Sequence, residues 1–228
     1  RGVTGVLLAN ELLDALPPHV VVMRRDGLRE IFVGVEDDRF VEIEREPSTP
    51  EIEAYFARAG VRLEPGWRAE VNLAAVAWVR EAARALARGF LLLVDYGHEA
   101  AVLYSPSHAS GTLTAYSRHV ASVDPLAWLE APGTRDLTAH VDLTAVRRAA
   151  EEEGLETIGI VDQMYFFLAL GLADRLDASS SLEAVRRRLA ARALVQPGGL
   201  GSTHKVMVFA RGVGRPALRG FAGGGRLT

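Results

Sequence analysis

The stretch Val6-Leu7-Leu8-Ala9-Asn10-Glu11-Leu12-Leu13-Asp14-Ala15-Leu16-Pro17 decides how this chain is read. Its opening belongs to an apolar run, Val3–Ala9, of the kind that forms a buried strand. The run ends abruptly in an amide and two carboxylates. In open α/β sheets, ligands sit beyond the carboxyl ends of the strands. Asn10, Glu11 and Asp14 therefore stand where chemistry is done. Glu11 and Asp14 are spaced i, i+3 and share one face if Glu11–Leu16 forms the short helix that Pro17-Pro18 would stop. Two readings of the turn stand. One is a helix cap, with Asn10 as N-cap and Glu11 favouring the helix dipole; the other is a functional cluster. Capping accounts for Asn10, but not for so polar a group after so apolar a strand. The motif begins at residue 9, and the first residue is not Met. The expectation is the later part of an enzyme whose glycine-rich cofactor loop would lie upstream.

Working outward, Val20–Arg24 and Glu30–Val35 are β-rich runs around the hairpin signal Arg25-Asp26-Gly27. Arg39–Glu44 alternates apolar and charged residues as a third strand of this meander. Ser48-Thr49-Pro50-Glu51 opens a helix through Arg58, with Thr49 as N-cap, Pro50 at N1 and Gly60 at the end. Glu70–Arg88 is the longest helical pattern, and Gly89 is its expected C-cap. Phe90–Val94 then reads as a strand buried on both faces, ending in Asp95-Tyr96-Gly97-His98. Helix, glycine, buried strand and acidic turn form the pattern of a parallel α/β sheet. Tyr104–Ser117 has no period and reads as a functional excursion. Asp142–Glu153 is a helix capped by Asp142, followed by a strand over Leu155–Val161. Helices over Gln163–Leu176 and Ser181–Leu194, a break at Pro197–Gly201 and a strand at Lys205–Ala210 complete the order. From Gly212 to Thr228 the Gly/Arg-rich sequence predicts a disordered tail.

Composition narrows the function classes. The 228 residues are 49% hydrophobic and carry 26 basic against 29 acidic side chains, a net charge of −3. That is no footprint for nucleic acid. Lys205 is the single lysine, and cysteine is absent, which excludes disulfides and thiolate metal sites. Apolar stretches such as Phe90–Val94 and Met164–Leu172 fall short of the roughly 18 residues that span a bilayer. A cytoplasmic setting with no membrane partner is the expectation.

Other constellations are weaker. Asp95-Tyr96-Gly97-His98 reads either as a turn that Asp95 serves locally or as one wall of a crevice shared with Asn10-Glu11. No metal site is expected: none of the six histidines pair at i, i+3 or i, i+4. His98, His108 and His119 sit in a loop without acidic ligands at ligand spacing. Gly-x-Ser-x-Gly is absent, and Gly198-Gly199-Leu200-Gly201 precedes a strand instead of opening a helix, so it fails as a phosphate loop.

Ala9–Pro17 resembles the Asn-Glu-aromatic-aromatic-Asp-Ala-Leu-Pro signature of the MidA-like S-adenosylmethionine-dependent methyltransferases, with Leu12-Leu13 in place of the aromatic pair and Pro18 where the family usually has another residue. Further stretches agree in order: Arg29–Val33, Ala69–Asn72, Val94–His98, Gly111–Tyr116 with Arg118-His119, Asp136–Asp142, and Gly199–Gly201 followed by His204-Lys205-Val206. The resemblance covers about residues 3–210. It implies an α/β fold: the later strands of a Rossmann-like class I methyltransferase sheet with an inserted β-meander and helical elements. In domain terms this is a catalytic part over 1–211, with an insertion at 18–65, and a tail over 212–228. The implied cofactor is S-adenosylmethionine, and the implied substrate is a protein side chain, arginine in the family's mitochondrial complex I assembly member.

On that reading Glu11 holds the guanidinium, with Asp14 or Glu70 helping, and Asn10 hydrogen-bonds acceptor or cofactor. Asp95, Tyr96 and His98 line the acceptor channel beside Glu70. A non-catalytic assembly or interaction factor of the same fold is the alternative. The resemblance also implies that Val3–Ala9 lies beside Phe90–Val94, with the last two strands beyond and the final one antiparallel. Val3–Ala9 is then an edge prone to self-association or homo-oligomer formation.

Overall fold

The structure is a computed structural model that describes residues 2–118, 120–176 and 179–222. His119 and residues 223–228 lie outside the described residues. In chain order the strands are β1 (Val3–Asn10), β2 (His19–Arg24), β3 (Gly27–Glu36), β4 (Arg39–Arg45), β5 (Arg68–Val71), β6 (Leu86–His98), β7 (Thr114–Ser117), β8 (Val120–Ala121), β9 (Asp136–Thr138), β10 (Val141–Asp142), β11 (Glu156–Asp162) and β12 (His204–Arg211). The helices are α1 (Glu51–Ala59), α2 (Leu73–Ala85), α3 (Ala100–Leu103), α4 (Leu143–Glu152), α5 (Gln163–Ala169), α6 (Leu182–Val195) and α7 (Leu200–Thr203). Where the sequence suggested one domain with an insertion over 18–65, the chain divides into two compact units. One holds residues 1–11, 79–97 and 147–228; the other holds 12–78 and 98–146.

In the first unit four strands run in the order β1-β6-β12-β11. β1 is parallel to β6, with Val6 opposite Phe90 and Asn10 opposite Val94. β12 is antiparallel to both β6 and β11, as the resemblance implied. Val94, Val161, Val206 and Val208 form a core with Phe90, Phe166 and Phe221 packed on it. Two expectations are corrected. Helix α2 stops at Ala85, and Gly89 lies within β6 instead of capping a helix. The cause is pairing: Thr4 and Gly5 of β1 take Arg88 and Gly89 as partners, and the ladder overrides helix propensity there. Gly89 has φ +129°, and a Cβ on it would collide with the Gly5 carbonyl oxygen. Nor does the packed unit end at residue 211. Arg219–Phe221 form a turn of 3₁₀-helix, and the Phe221 ring meets Phe166 edge to face at 5.6 Å.

The second unit is built on the antiparallel sheet β4-β3-β2-β5. Arg25-Asp26 make the expected tight connection between β2 and β3. α1 buries Ile52, Tyr55 and Phe56 in a cluster with Val21, Leu28, Val71, Leu103 and Tyr104. The helix starts one residue later than expected, with Pro50 at the N-cap in place of Thr49, whose Oγ1 accepts the Glu51 N–H at 3.3 Å; Gly60 closes it at φ +68°, as the sequence suggests. Glu70 was expected on a helix. It lies in β5, opposite Val20 of β2, and α2 begins at Leu73 because Asn72 Oδ1 caps the Ala75 N–H at 2.8 Å. Asp142 caps α4 as expected, accepting the Ala145 N–H at 3.0 Å. It also accepts the Tyr55 hydroxyl at 3.0 Å, and burial raises its pKa.

The predicted helix over Glu11–Leu16 does not form; the segment is a bend and turn. Its geometry is set from a distance in sequence. The Asn72 amide donates to the carbonyls of both Leu13 and Leu16 at 3.0 Å, and Leu16 N–H closes on Leu13 O at 3.3 Å.

Candidate active site

With no helix to cap, the capping reading of Asn10 and Glu11 falls away. Asn10 is the last residue of β1. Glu11 then turns into the left-handed region at φ +48°, a conformation that costs a non-glycine residue about 1–2 kcal/mol. Its N–H is held by Val94 O at 2.8 Å, so the ladder with β6 fixes the strained residue. The Glu11 side chain is 58% exposed. Its Oε1 lies 3.4 Å from the Asn10 amide nitrogen and 3.9 Å from His204 Nε2.

The end of β6 supplies the other wall. Asp95 is fully buried, and its Oδ1 accepts the Tyr96 N–H at 2.9 Å; the expected turn does not form, because Asp95–His98 continue β6 in register with β12. Tyr96 pairs in register with His204 at the start of β12, and their rings stand 5.4 Å apart. Lys205, opposite Asp95, is buried. Its ammonium pairs with Asp162 and donates to Ser202 O, both at 2.6 Å. The first unit thus gathers Asn10, Glu11, Asp95 and Tyr96 as anticipated. It adds His204, which sequence spacing could not flag because only the antiparallel return of β12 brings it there.

Asp14, Glu70 and His98 belong to the second unit. The shared helical face for Glu11 and Asp14 is lost with the helix. Asp14 is buried and lines a cavity of about 270 Å³ with Leu16, Pro17, Pro18, Trp128 and Leu137. The buried Trp128 indole N–H has no hydrogen-bond partner among the described residues. A carboxylate among apolar walls suits a cation on an aliphatic stem.

Glu70 is an anchor for a loop. Its Oε2 accepts both the backbone N–H and the hydroxyl of Thr112 at 2.8 Å. Thr112 Oγ1 in turn accepts the His140 backbone N–H at 3.1 Å. His98 stands with His108 and His140, at ring separations of 5.0, 5.4 and 5.8 Å. Burial, and then the neighbouring His98 and His108, push the His140 pKa down to about 4, so that imidazole is neutral at neutral pH.

Comparison with known proteins sets these features in a family. Residues 2–161 match the family described as "Putative S-adenosyl-L-methionine-dependent methyltransferase". The chain belongs to this family. The match contains β1, the Asn10–Asp14 turn, Asp95 and Tyr96, and stops short of His204. The mitochondrial protein arginine methyltransferase NDUFAF7 of Danio rerio is 30% identical over 81% of this chain and 42% of its own length. The Mus musculus protein of that name is 32% identical over 75% of this chain and 37% of its own length.

A COG1565 superfamily member from Burkholderia thailandensis, solved with S-adenosyl-homocysteine bound, superposes with a TM-score of 0.90. It is 33% identical, and the match covers all of this chain and 58% of that one. The chain therefore spans about two fifths of the length of the curated relatives it matches. The donor set at the strand ends fits an adenosyl amino acid in kind. The Asn10 amide stands at the carboxyl end of a strand parallel to its neighbour, where ligands sit in open α/β sheets, and an amide can both donate to and accept from the hydroxyls of such a molecule. No helix among the described residues is long and apolar enough to cross a membrane.

Proposed function

We propose that the complete protein transfers a methyl group from S-adenosylmethionine to a protein side chain, with arginine as the acceptor. Family membership supports the reaction class, and the relatives named as protein arginine methyltransferases support the acceptor. The observation that carries the residue assignment is Glu11: an exposed carboxylate held in a strained backbone at the end of a parallel strand pair. Strain of this kind persists where the surrounding structure enforces it, and it concentrates at functional sites.

The cofactor supplies the electrophilic methyl on its sulfonium. With it bound, the acceptor nitrogen would form the new N–C bond as the S–C bond breaks, S-adenosyl-homocysteine would leave, and the proton on the nitrogen would pass to water. What remains for the protein is positioning. A guanidinium is protonated at neutral pH and presents a planar fork that a carboxylate can hold bidentately. Glu11 holds and orients it, with Asn10 beside it to accept or donate. Asp95 and Tyr96 shape the strand-end wall.

The test is methyl transfer by the complete protein to an arginine-containing protein substrate, comparing wild type with Glu11→Gln. Removing a charge-assisted contact worth about 1.5–3 kcal/mol should slow transfer tenfold or more. Circular dichroism should remain unchanged, because the side chain is exposed. Activity of the variant within about threefold of wild type would remove Glu11 from the mechanism.

A further inference from the structure

We propose that His98, His108 and His140 form a binding site for a divalent transition-metal ion of zinc type. The three residues come from the end of β6, the 3₁₀ turn Pro106–His108 after α3 and the segment between β9 and β10. Folding brings one ring nitrogen from each within 4.8 Å of the other two, in a half-buried position. Zn–N bonds of about 2.0–2.1 Å in a tetrahedral site place ligand nitrogens roughly 3.3 Å apart. Imidazole side chains at the observed separations reach that spacing by turning about their two side-chain torsions. Three imidazoles suit Zn²⁺, Ni²⁺, Co²⁺ and Cu²⁺ and do not suit Mg²⁺ or Ca²⁺.

The surroundings orient the His108 ring as metal sites require, and fix the backbone at the other two positions. His108 Nδ1 lies 3.0 Å from the carbonyl oxygen of Val102. A carbonyl can only accept, so Nδ1 carries the proton and Nε2 presents its lone pair. A ligating histidine is ordinarily tied in this way through its other nitrogen. Ser107 Oγ, 3.1 Å from the same Nδ1, adds a second polar contact. The backbone of His140 is fixed by the relay from buried Glu70 through Thr112. Beyond His98, the Ala100 N–H is held by Thr144 Oγ1 at 2.9 Å. Three ligands leave a fourth position for water or an incoming oxygen donor, as in open zinc sites.

Metal binding is read directly, so the test needs no activity. The complete protein, stripped with chelator and dialysed, is titrated with ZnCl₂ by calorimetry and with Co²⁺ by visible absorption. One Zn²⁺ per chain is expected, displacing Co²⁺ whose absorption is that of a tetrahedral or five-coordinate ion. The double variant His108→Gln, His140→Gln should lose at least a hundredfold in affinity. His19→Gln, outside the cluster, should bind as wild type. Absence of stoichiometric binding by the wild type overturns the site, and so does undiminished binding by the double variant. If the double variant does not fold, X-ray absorption on the zinc-loaded wild type decides: three imidazole nitrogens support the site, and fewer overturn it.

Discussion

At the scale of single residues, two backbones outside the ordinary regions shape the β1–β6 pair. Glu11 tolerates φ +48° because its N–H bond to Val94 fixes it. Gly89 accepts φ +129° because only a hydrogen faces the Gly5 carbonyl. The two kinds of constraint can be separated by matched substitutions. Gly60, at φ +68°, has nothing within 4 Å of the place a methyl group would take, so Gly60→Ala meets only the backbone penalty and should cost about 1–2 kcal/mol. Gly89→Ala adds a collision with main-chain atoms on the adjacent strand, and should cost at least about 3 kcal/mol or prevent folding. Urea denaturation of the two variants beside wild type measures the difference. Equal costs would mean that β1 and β6 do not approach at Gly5 and Gly89 as described.

At the scale of elements, Asn72 joins a helix start to the turn that carries Asp14. It caps Ala75 with its oxygen and ties Leu13 and Leu16 with its nitrogen. Asn72→Ala removes one cap and two further hydrogen bonds, and should cost about 2–3 kcal/mol. Native-state hydrogen exchange should show faster exchange at Leu16 and Ala75, and unchanged rates there would refute the assignment. The same residue explains a failure of local reading. Glu11–Leu16 has helical spacing, yet a side chain some sixty positions later holds it as a turn. β5 and the start of β6 were hidden likewise, because their partners β2 and β1 are supplied by tertiary pairing. Signals closed within a few residues were legible: the Asp142 cap and the Gly60 end. That Asn10-Glu11 stands beside Asp95-Tyr96 was legible because a polar group follows each of two apolar runs that pair in parallel. The histidine cluster was not, since gaps of 10 and 32 residues match no ligand pattern and only the fold closes them.

At the scale of the whole molecule, the described sheet of the first unit has β1 at its edge. Val6 and Leu8 there are 60% and 67% exposed. An open edge bearing apolar side chains is a template for another strand. The 228-residue chain is expected to self-associate at roughly tens of micromolar, as seen by size-exclusion chromatography with light scattering. Val6→Lys with Leu8→Lys should shift it towards monomer, because charge blunts an edge. A wild-type chain that stays monomeric at that concentration contradicts the expectation.

Lys205 is the single lysine of the sequence, and it sits in β12, between β6 and β11, with its ammonium engaged by Asp162 and Ser202. The chain consequently carries its own reporter of global opening. A lysine-specific protease has one bond to cut, the one following Lys205, and in the folded sheet that bond is withheld. Under conditions where reclosing outpaces cleavage, the rate at that single site follows the population of the opened sheet. Amine-directed reagents behave the same way: in the native protein they are confined to the terminal amine, and a second label marks a molecule whose central strand has come free.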